Sequence, residues 1–405
     1  MGIFDFFSST PSTKKFGQIV IDFARRQGVD QLIRFDEADF RLLVGENGSH
    51  VLNLHNAYRD YCASPKKQRD TVLLKYTAGL KLEGIPDDFA SAKAHLMPSV
   101  KPRGQGEYLR LTSLIQDKPM SYDEASLNFS DDAVLMLAYD TEHSMALVNR
   151  SNFETWGVSV QDAMDVALGN LRDRTADKFV ELGVGVVAGV WDDAYDSSRI
   201  LLPDLAYRAN CGSDPVIMVP TRGRFLVTPA SNKAGLFFMI VYAQECAEKE
   251  GRTVSAHMYK IKNGQVVSYT PEDTDVAASL KSLQTYYLAE DYGSQKDLLE
   301  ALYEKNKADV FVATFTVFKN KQTGLLTSLC TWTQSVVTLL PKTDLVALLI
   351  PGESESEHRT KIITWDAAMS IAADLMQEVE GYPARYLVKN FPTAEQLNSV
   401  AETPL

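Results

Sequence analysis

Two short apolar runs joined by a tight turn and followed by a helix recur along this chain, and that order restricts the fold more than any single motif. The first instance runs from Phe40 to Val44, turns at Gly45-Glu46-Asn47-Gly48 and returns from His50 to Leu54. Asn-Gly between apolar runs is a strong short-range hairpin signal. A helix with Ala57, Tyr58, Tyr61 and Cys62 follows. The second instance pairs Ala133–Tyr139 with Met145–Val148, then starts a helix at Ser159, with Asp162 at the third helical position and Ala163, Val166, Ala167 and Leu171 on one face. The third pairs Val216–Val219 with Arg224–Thr228 and continues into the helix Gly235–Lys249. The fourth pairs Ser335–Leu340 with Leu345–Ile350 around Pro341-Lys342-Thr343-Asp344 and continues into Trp365–Glu380. The expected class is therefore α+β, built from repeated ββα units whose antiparallel hairpins pack against helices.

The last two units read as parts of a longer internal duplication. Val219-Pro220 corresponds to Leu340-Pro341, Val186–Val190 to Val312–Val317, and Ser255–Lys260 to Ala384–Lys389. Between the copies, Leu280, Leu283, Tyr286 and Tyr287 precede Leu298, Leu299, Leu302 and Tyr303, which suggests two helices joined at Gly293. The resulting division is an N-terminal hook and helix (1–29), an α+β domain (30–270), a helical spacer (271–306) and a C-terminal α+β domain (307–405) that is a diverged copy of 185–260. Within the first segment, Phe16, Ile19, Val20 and Phe23 recur at helical spacing and the helix should stop near Gly28.

Charge narrows the function classes. The chain has 405 residues and a formal net charge of −12, and an acidic average field opposes binding to a polyanion, which depends on lysine and arginine displacing counterions. Nucleic acid is not an expected partner. Cys62, Cys211, Cys246 and Cys330 stand far apart in the sequence, the pattern of reduced thiols in a cytoplasmic protein. The apolar runs Leu182–Trp191 and Leu236–Ala243 are too short to span a bilayer. At the N-terminus, Ile3, Phe4, Phe6 and Phe7 form an aromatic hook for packing or for weak membrane-surface contact; Phe6 stands where a myristoylation signal needs Ser or Thr.

The densest group of chemically capable side chains is Asp193, Tyr195, Asp196, Ser198 and Arg199. One reading is structural: Asp196 caps a helix beginning at Ser197, and Arg199 pairs with a nearby carboxylate. The alternative is a site, with carboxylates for acid/base or metal work and Arg199 for an anion. The valine-alternating run Gly183–Gly189 reads as a strand rather than a phosphate loop. The six histidines lack metal-ligand spacing, so neither cofactor nor metal is expected.

The segment Asp193-Ala194-Tyr195-Asp196-Ser197-Ser198-Arg199-Ile200-Leu201 resembles a string in the DUF1444 family, also called UPF0354 and including YtpQ-like bacterial proteins. The order of neighbouring features over roughly residues 30–270 is similar as well: Tyr139-Asp140, Trp156-Gly157-Val158-Ser159, Asn170-Leu171 and Val219-Pro220. The resemblance implies no activity. Ala194 stands where that family carries glycine, which matters if the position needs a positive φ. The expectation is a cytoplasmic, non-enzymatic interaction or regulatory protein with a protein partner, the alternative being an enzyme or small-ligand sensor that uses the segment Asp193–Arg199.

Overall fold

The computed structural model describes residues 10–45, 50–80, 84–117, 125–141, 145–209, 212–321, 323–352 and 357–404. The hook residues Ile3, Phe4, Phe6 and Phe7, and Cys211, lie outside them. The chain divides into two compact units, Met1–Leu96 with Ala138–Val148, and Met97–Leu137 with Asn149–Leu405. This differs from the expected division: the stretch 271–306 lies inside the second unit rather than between two.

In the first unit Ser12 caps the helix Thr13–Arg26, its hydroxyl accepting from Lys15 N–H (3.2 Å). Phe16, Val20, Phe23 and Ala24 are buried on one face as their spacing requires. The expected hairpin forms between Arg41–Val44 and His50–Asn53, and the helix His55–Ala63 follows it. A further strand, Ile33–Asp36, extends the sheet. Phe16 meets the rings of Tyr58 and Tyr61 edge-on at 5.1 Å, joining helix faces that are far apart in sequence.

The second unit is built on a six-stranded antiparallel sheet. Its order is Gln265–Tyr269, Met258–Lys262, Pro215–Met218, Leu226–Pro229, Val186–Gly189 and Phe179–Gly183. The expected third hairpin is its centre. Leu236, Met239, Ile240 and Ala243 from the helix Lys233–Glu250, with Val276, Leu280 and Leu283 from the next helix, close one core against Val186, Met218, Leu226 and Met258. The Gly/Val run is two strands rather than one, turned at Val184 (φ 45°) and Gly185 (φ 72°).

Three expectations need correction. The stretch read as two helices is one, Thr274–Lys305, 32 residues long, with Asp273 Oδ1 accepting from the amides of Asp275 and Val276. Gly293 does not break it, because a helical glycine costs only about 1 kcal/mol against alanine while Tyr292, Gln295 and Leu299 are buried on either side. The fourth hairpin does not form: Thr338–Pro341 pairs with Phe311–Val312 and Arg385–Val388, whereas Leu345–Ile350 joins another sheet between Leu326–Thr333 and Arg359–Thr364. Asp344 explains the change. Its carboxylate accepts from both the amide (2.9 Å) and the hydroxyl (2.7 Å) of Ser328, fixing the start of Leu345–Ile350 on the strand Leu326–Thr333. Strand pairing is therefore not repeated between 185–260 and 307–405, and the internal duplication is not confirmed.

Candidate functional site

The segment 191–199 leaves the six-stranded sheet after Val186–Gly189 and enters a 3-10 helix, Ser197–Leu201. The chain turns sharply on the way: Asp192 (φ 53°) and Ala194 (φ 70°) both occupy the left-handed region, where an L side chain crowds the backbone and glycine does not. Asp196 holds this turn. Its Oδ1 accepts from the amides of Trp191 (3.1 Å) and Asp192 (3.2 Å). It makes no helix-capping bond to the residues that follow, so the expected N-cap is corrected: the carboxylate faces back along the chain. Its Oδ2 is buried and has no hydrogen-bond partner among the described residues. Burial, reinforced by the charge of Asp193 and opposed by the two amides, raises the Asp196 pKa above its ordinary value.

Arg199 is completely buried. It forms a forked pair with Asp193, Nη1–Oδ1 at 2.8 Å and Nη2–Oδ2 at 2.6 Å. Nε–H donates to Thr175 Oγ1 (3.0 Å) and Nη2–H to the Arg174 carbonyl (3.4 Å). The guanidinium carbon lies 4.4 Å from the Trp191 ring centroid, a cation–π contact. Asp193 Oδ1 also accepts from Tyr195 N–H (3.1 Å), and Tyr195 is buried. Burial acts to raise the Asp193 pKa, but the bonds and charge of Arg199 outweigh it and hold the group below its usual range. Ser198 is buried as well, accepting from Val100 N–H at 3.1 Å.

The structure thus brings all five sequence-selected residues into one cluster and supplies partners that the sequence did not suggest. Trp191 is the centre of the packing. Its indole N–H donates to the Ala176 carbonyl (2.6 Å), and its ring meets Phe179 and Phe225 edge-on. Gly189 makes room for it, since a Cβ there would lie 1.9 to 2.8 Å from three indole carbons. Thr175 and Arg174 sit at the end of the helix Val160–Asp173, and nothing local in the sequence links them to Arg199. The cluster is a brace: Arg199 is out of reach of solvent, and a ligand would first have to displace Asp193.

No protein-family model, curated protein or solved structure matches this chain.

Two other polar groups lay outside the sequence reading. Asp132 accepts from Ser130 Oγ (2.8 Å), Ser255 Oγ (2.9 Å) and Ala256 N–H (2.9 Å), while the Tyr259 hydroxyl lies 2.6 Å from Ser255 Oγ. This network pins the turn at 130–132 to the start of the strand Met258–Lys262. Asp291 lies on the long helix, where burial and then the charges of Asp132 and Glu290 push its carboxyl up to about 7. Among the described residues no group of three or more His, Cys, Asp or Glu is placed to hold a metal ion, and no helix is long and apolar enough to cross a membrane.

Proposed function

We propose that this chain is a non-catalytic interaction or regulatory protein that takes up an extended segment of a protein partner along the edge strand Phe179–Gly183. One observation carries the reading: exposed apolar side chains are concentrated on the hairpin that ends the six-stranded sheet. Val180, Val184 and Val190 are 43%, 54% and 46% exposed. Among the described residues the strand pairs only with Val186–Gly189, and Glu181 is its single charge. Edge strands offer unpaired N–H and C=O groups, and proteins that avoid pairing there commonly blunt the edge with lysine, proline or bulges. A bulge is present at Glu181–Gly183, but the apolar side chains around it remain open. An added strand gains main-chain hydrogen bonds and covers those valines.

The cluster at 191–199 then serves as the support of this edge. Trp191 packs on Phe179, and Val190 N–H donates to the Lys178 carbonyl (3.0 Å), so the brace built on Asp193, Asp196 and Arg199 stiffens the hairpin from behind. A preorganised edge loses less entropy when a partner docks. Cytoplasmic placement belongs to the same proposal and draws support from Cys62, Cys246 and Cys330, which are free thiols.

The test is affinity purification from the native cell with mass spectrometry, comparing the parent chain, Val180→Lys with Val184→Lys, and Val241→Lys as a control on an exposed helical face. A partner retained by the parent and the control but lost from the edge variant, with melting unchanged, supports the proposal. Retention by all three rejects it. Light scattering of the purified chain separates an external partner from a second copy.

A further inference from the structure

The long helix Thr274–Lys305 and the helix Arg103–Ile115 meet at Gly104, and two polar side chains of the long helix close on that residue. Gly104 is buried, and a Cβ built on it would fall 1.8 Å from Asp291 Oδ1, 2.2 Å from its Cγ and 2.6 Å from its Oδ2. A side chain there would exclude the carboxyl. Gln295 is fully buried one turn further along, and its Nε2–H donates to the Gly104 carbonyl (3.3 Å). That bond fixes the orientation of the amide, since a carbonyl accepts only from the nitrogen. At the far end of the shorter helix, Lys305 Nζ–H donates to the carbonyls of Leu114 (3.0 Å) and Ile115 (2.9 Å).

Gln295 Oε1 is buried and has no hydrogen-bond partner among the described residues. Asp291, four residues earlier on the same helix face, makes neither a hydrogen bond nor an ion pair among them. A buried acceptor and a carboxyl thus stand side by side, each without a donor, which is costly for both. One proton supplies what both lack.

The charges facing Asp291 are mostly negative. Asp132 approaches from the turn at 130–132 and Glu290 is its neighbour on the helix, while Arg385, on the strand Arg385–Val388, opposes them. Arg385 is committed elsewhere: its Nη1–H donates to the Pro383 carbonyl (3.1 Å), and its guanidinium carbon lies 4.8 Å from the Tyr292 ring centroid. On the shorter helix Glu107 is forked by Arg110, and Arg103 covers the Tyr382 ring at 4.8 Å. Burial and the charges of Asp132 and Asp291 raise the Tyr382 phenol above its usual range, so it adds no charge at neutral pH. Burial and the two acidic neighbours lift Asp291 itself to about 7.

We infer that Asp291 and Gln295 form a proton-operated latch between the two helices. With Asp291 neutral, its O–H donates to Gln295 Oε1, and both side chains sit satisfied on Gly104. When the proton leaves to water, the carboxylate faces Asp132 and Glu290 without a donor. The start of the helix Arg103–Ile115 is then pushed off, while Lys305 keeps its far end in place. The latch does not involve the edge strand Phe179–Gly183, and its fate leaves that reading unaffected.

The test follows the Asp291 carboxyl carbon by NMR in the full chain labelled with carbon-13 aspartate, the signal being assigned by its loss in Asp291→Asn. A midpoint at about pH 7 is expected. Gln295→Met, which keeps the bulk and removes the acceptor, should lower that midpoint by about one pH unit, a tenfold loss of proton affinity. Hydrogen exchange, corrected for intrinsic rates, should show the amides of 107–111 losing protection as pH rises through the same range, with those of 112–115 still protected. Asp291→Asn keeps a donor for Gln295 at every pH and should hold 107–111 closed. Its melting temperature should exceed the parent's by a margin that grows from about pH 5 to about pH 7 and levels off above, because in this window the unfolded carboxyl is already ionised and the folded one is not. Asp297→Asn, at an exposed carboxyl on the same helix, should behave as the parent throughout. A midpoint in the ordinary carboxylate range, a midpoint that Gln295→Met leaves unchanged, or exchange at 107–111 that does not respond to pH overturns the inference.

Discussion

Arg199 has no exposed side-chain surface, whereas the Asp193 carboxylate that neutralises it keeps 37% of its side chain exposed. The two ends of this pair should therefore fail differently. Removing the acid strands a desolvated guanidinium, while removing the base leaves a carboxylate that water already reaches. Asp193→Ala is expected to cost about 3 kcal/mol, the low end for breaking a buried pair, because the exposure of Asp193 lets solvent approach. Arg199→Met, an apolar chain of similar reach, should cost less. Urea unfolding of both variants measures the order; if Arg199→Met is the more damaging, the bonds to Thr175 and Arg174 matter more than the ion pair.

Asp196 separates hydrogen bonding from charge. Asp196→Ala removes the acceptor for two amides and should cost about 1–3 kcal/mol for leaving them unpaired. Asp196→Asn keeps an acceptor and removes a buried charge, so at neutral pH it should be no less stable than the parent. The sign in pH follows from the raised pKa. As pH falls from neutrality toward the ordinary carboxylate value of about 3.9, the folded chain takes up this proton before the unfolded chain does, and the residue's unfavourable contribution fades. Any advantage of the Asn variant should therefore be largest at pH 7 and shrink toward pH 4 in thermal melts. Equal damage by Ala and Asn at every pH would contradict the account.

What could be read from the sequence was local. Ser159, the Phe16–Phe23 spacing and the hairpin returning at His50 all carry their signal within a few residues, and each forms as expected. The failures depend on distant partners. Nothing in Thr338–Pro341 announces that it pairs with Arg385–Val388 rather than with the apolar run after its turn, and Asp344 acts through Ser328, a residue on another strand. At the brace the expected N-cap gave Asp196 the wrong direction, because the positive φ at Asp192 and Ala194 turns the chain back under its carboxylate. Thr175 was out of reach for the same reason, being brought to Arg199 by packing.

Ala194 tests the backbone itself. At φ 70° an alanine carries a penalty of roughly 1–2 kcal/mol that glycine avoids, offset by about 0.4–1 kcal/mol of extra freedom that glycine gives the unfolded chain. Ala194→Gly should therefore be neutral or stabilising by up to about 1 kcal/mol. Ala194→Val puts a branched carbon where φ is positive and should be destabilising, although the site is exposed. Differential scanning calorimetry of both decides the matter; a destabilised Gly variant would place the turn in another conformation.

Two glycines should respond to the same substitution with opposite signs. Gly293 lies within the long helix Thr274–Lys305, and a Cβ built there has no heavy atom within 4 Å. Gly293→Ala should stabilise by about 1 kcal/mol through helix propensity alone. Were the stretch two helices joined at this residue, the glycine would serve as a hinge and the gain would vanish. Gly189 lies against the indole of Trp191, which is boxed in by Phe179, Phe225 and Arg199 and held by its N–H bond to the Ala176 carbonyl. The ring cannot move aside without disturbing the Arg199 contacts. Gly189→Ala should therefore destabilise by about 1–3 kcal/mol, the usual cost of overpacking. It should also quench or shift the fluorescence of Trp191, read against the other three tryptophans by replacing Trp191 with Phe. Gly189→Ala with unchanged stability and an unchanged emission spectrum would mean that the indole sits elsewhere, and with it the floor beneath Arg199.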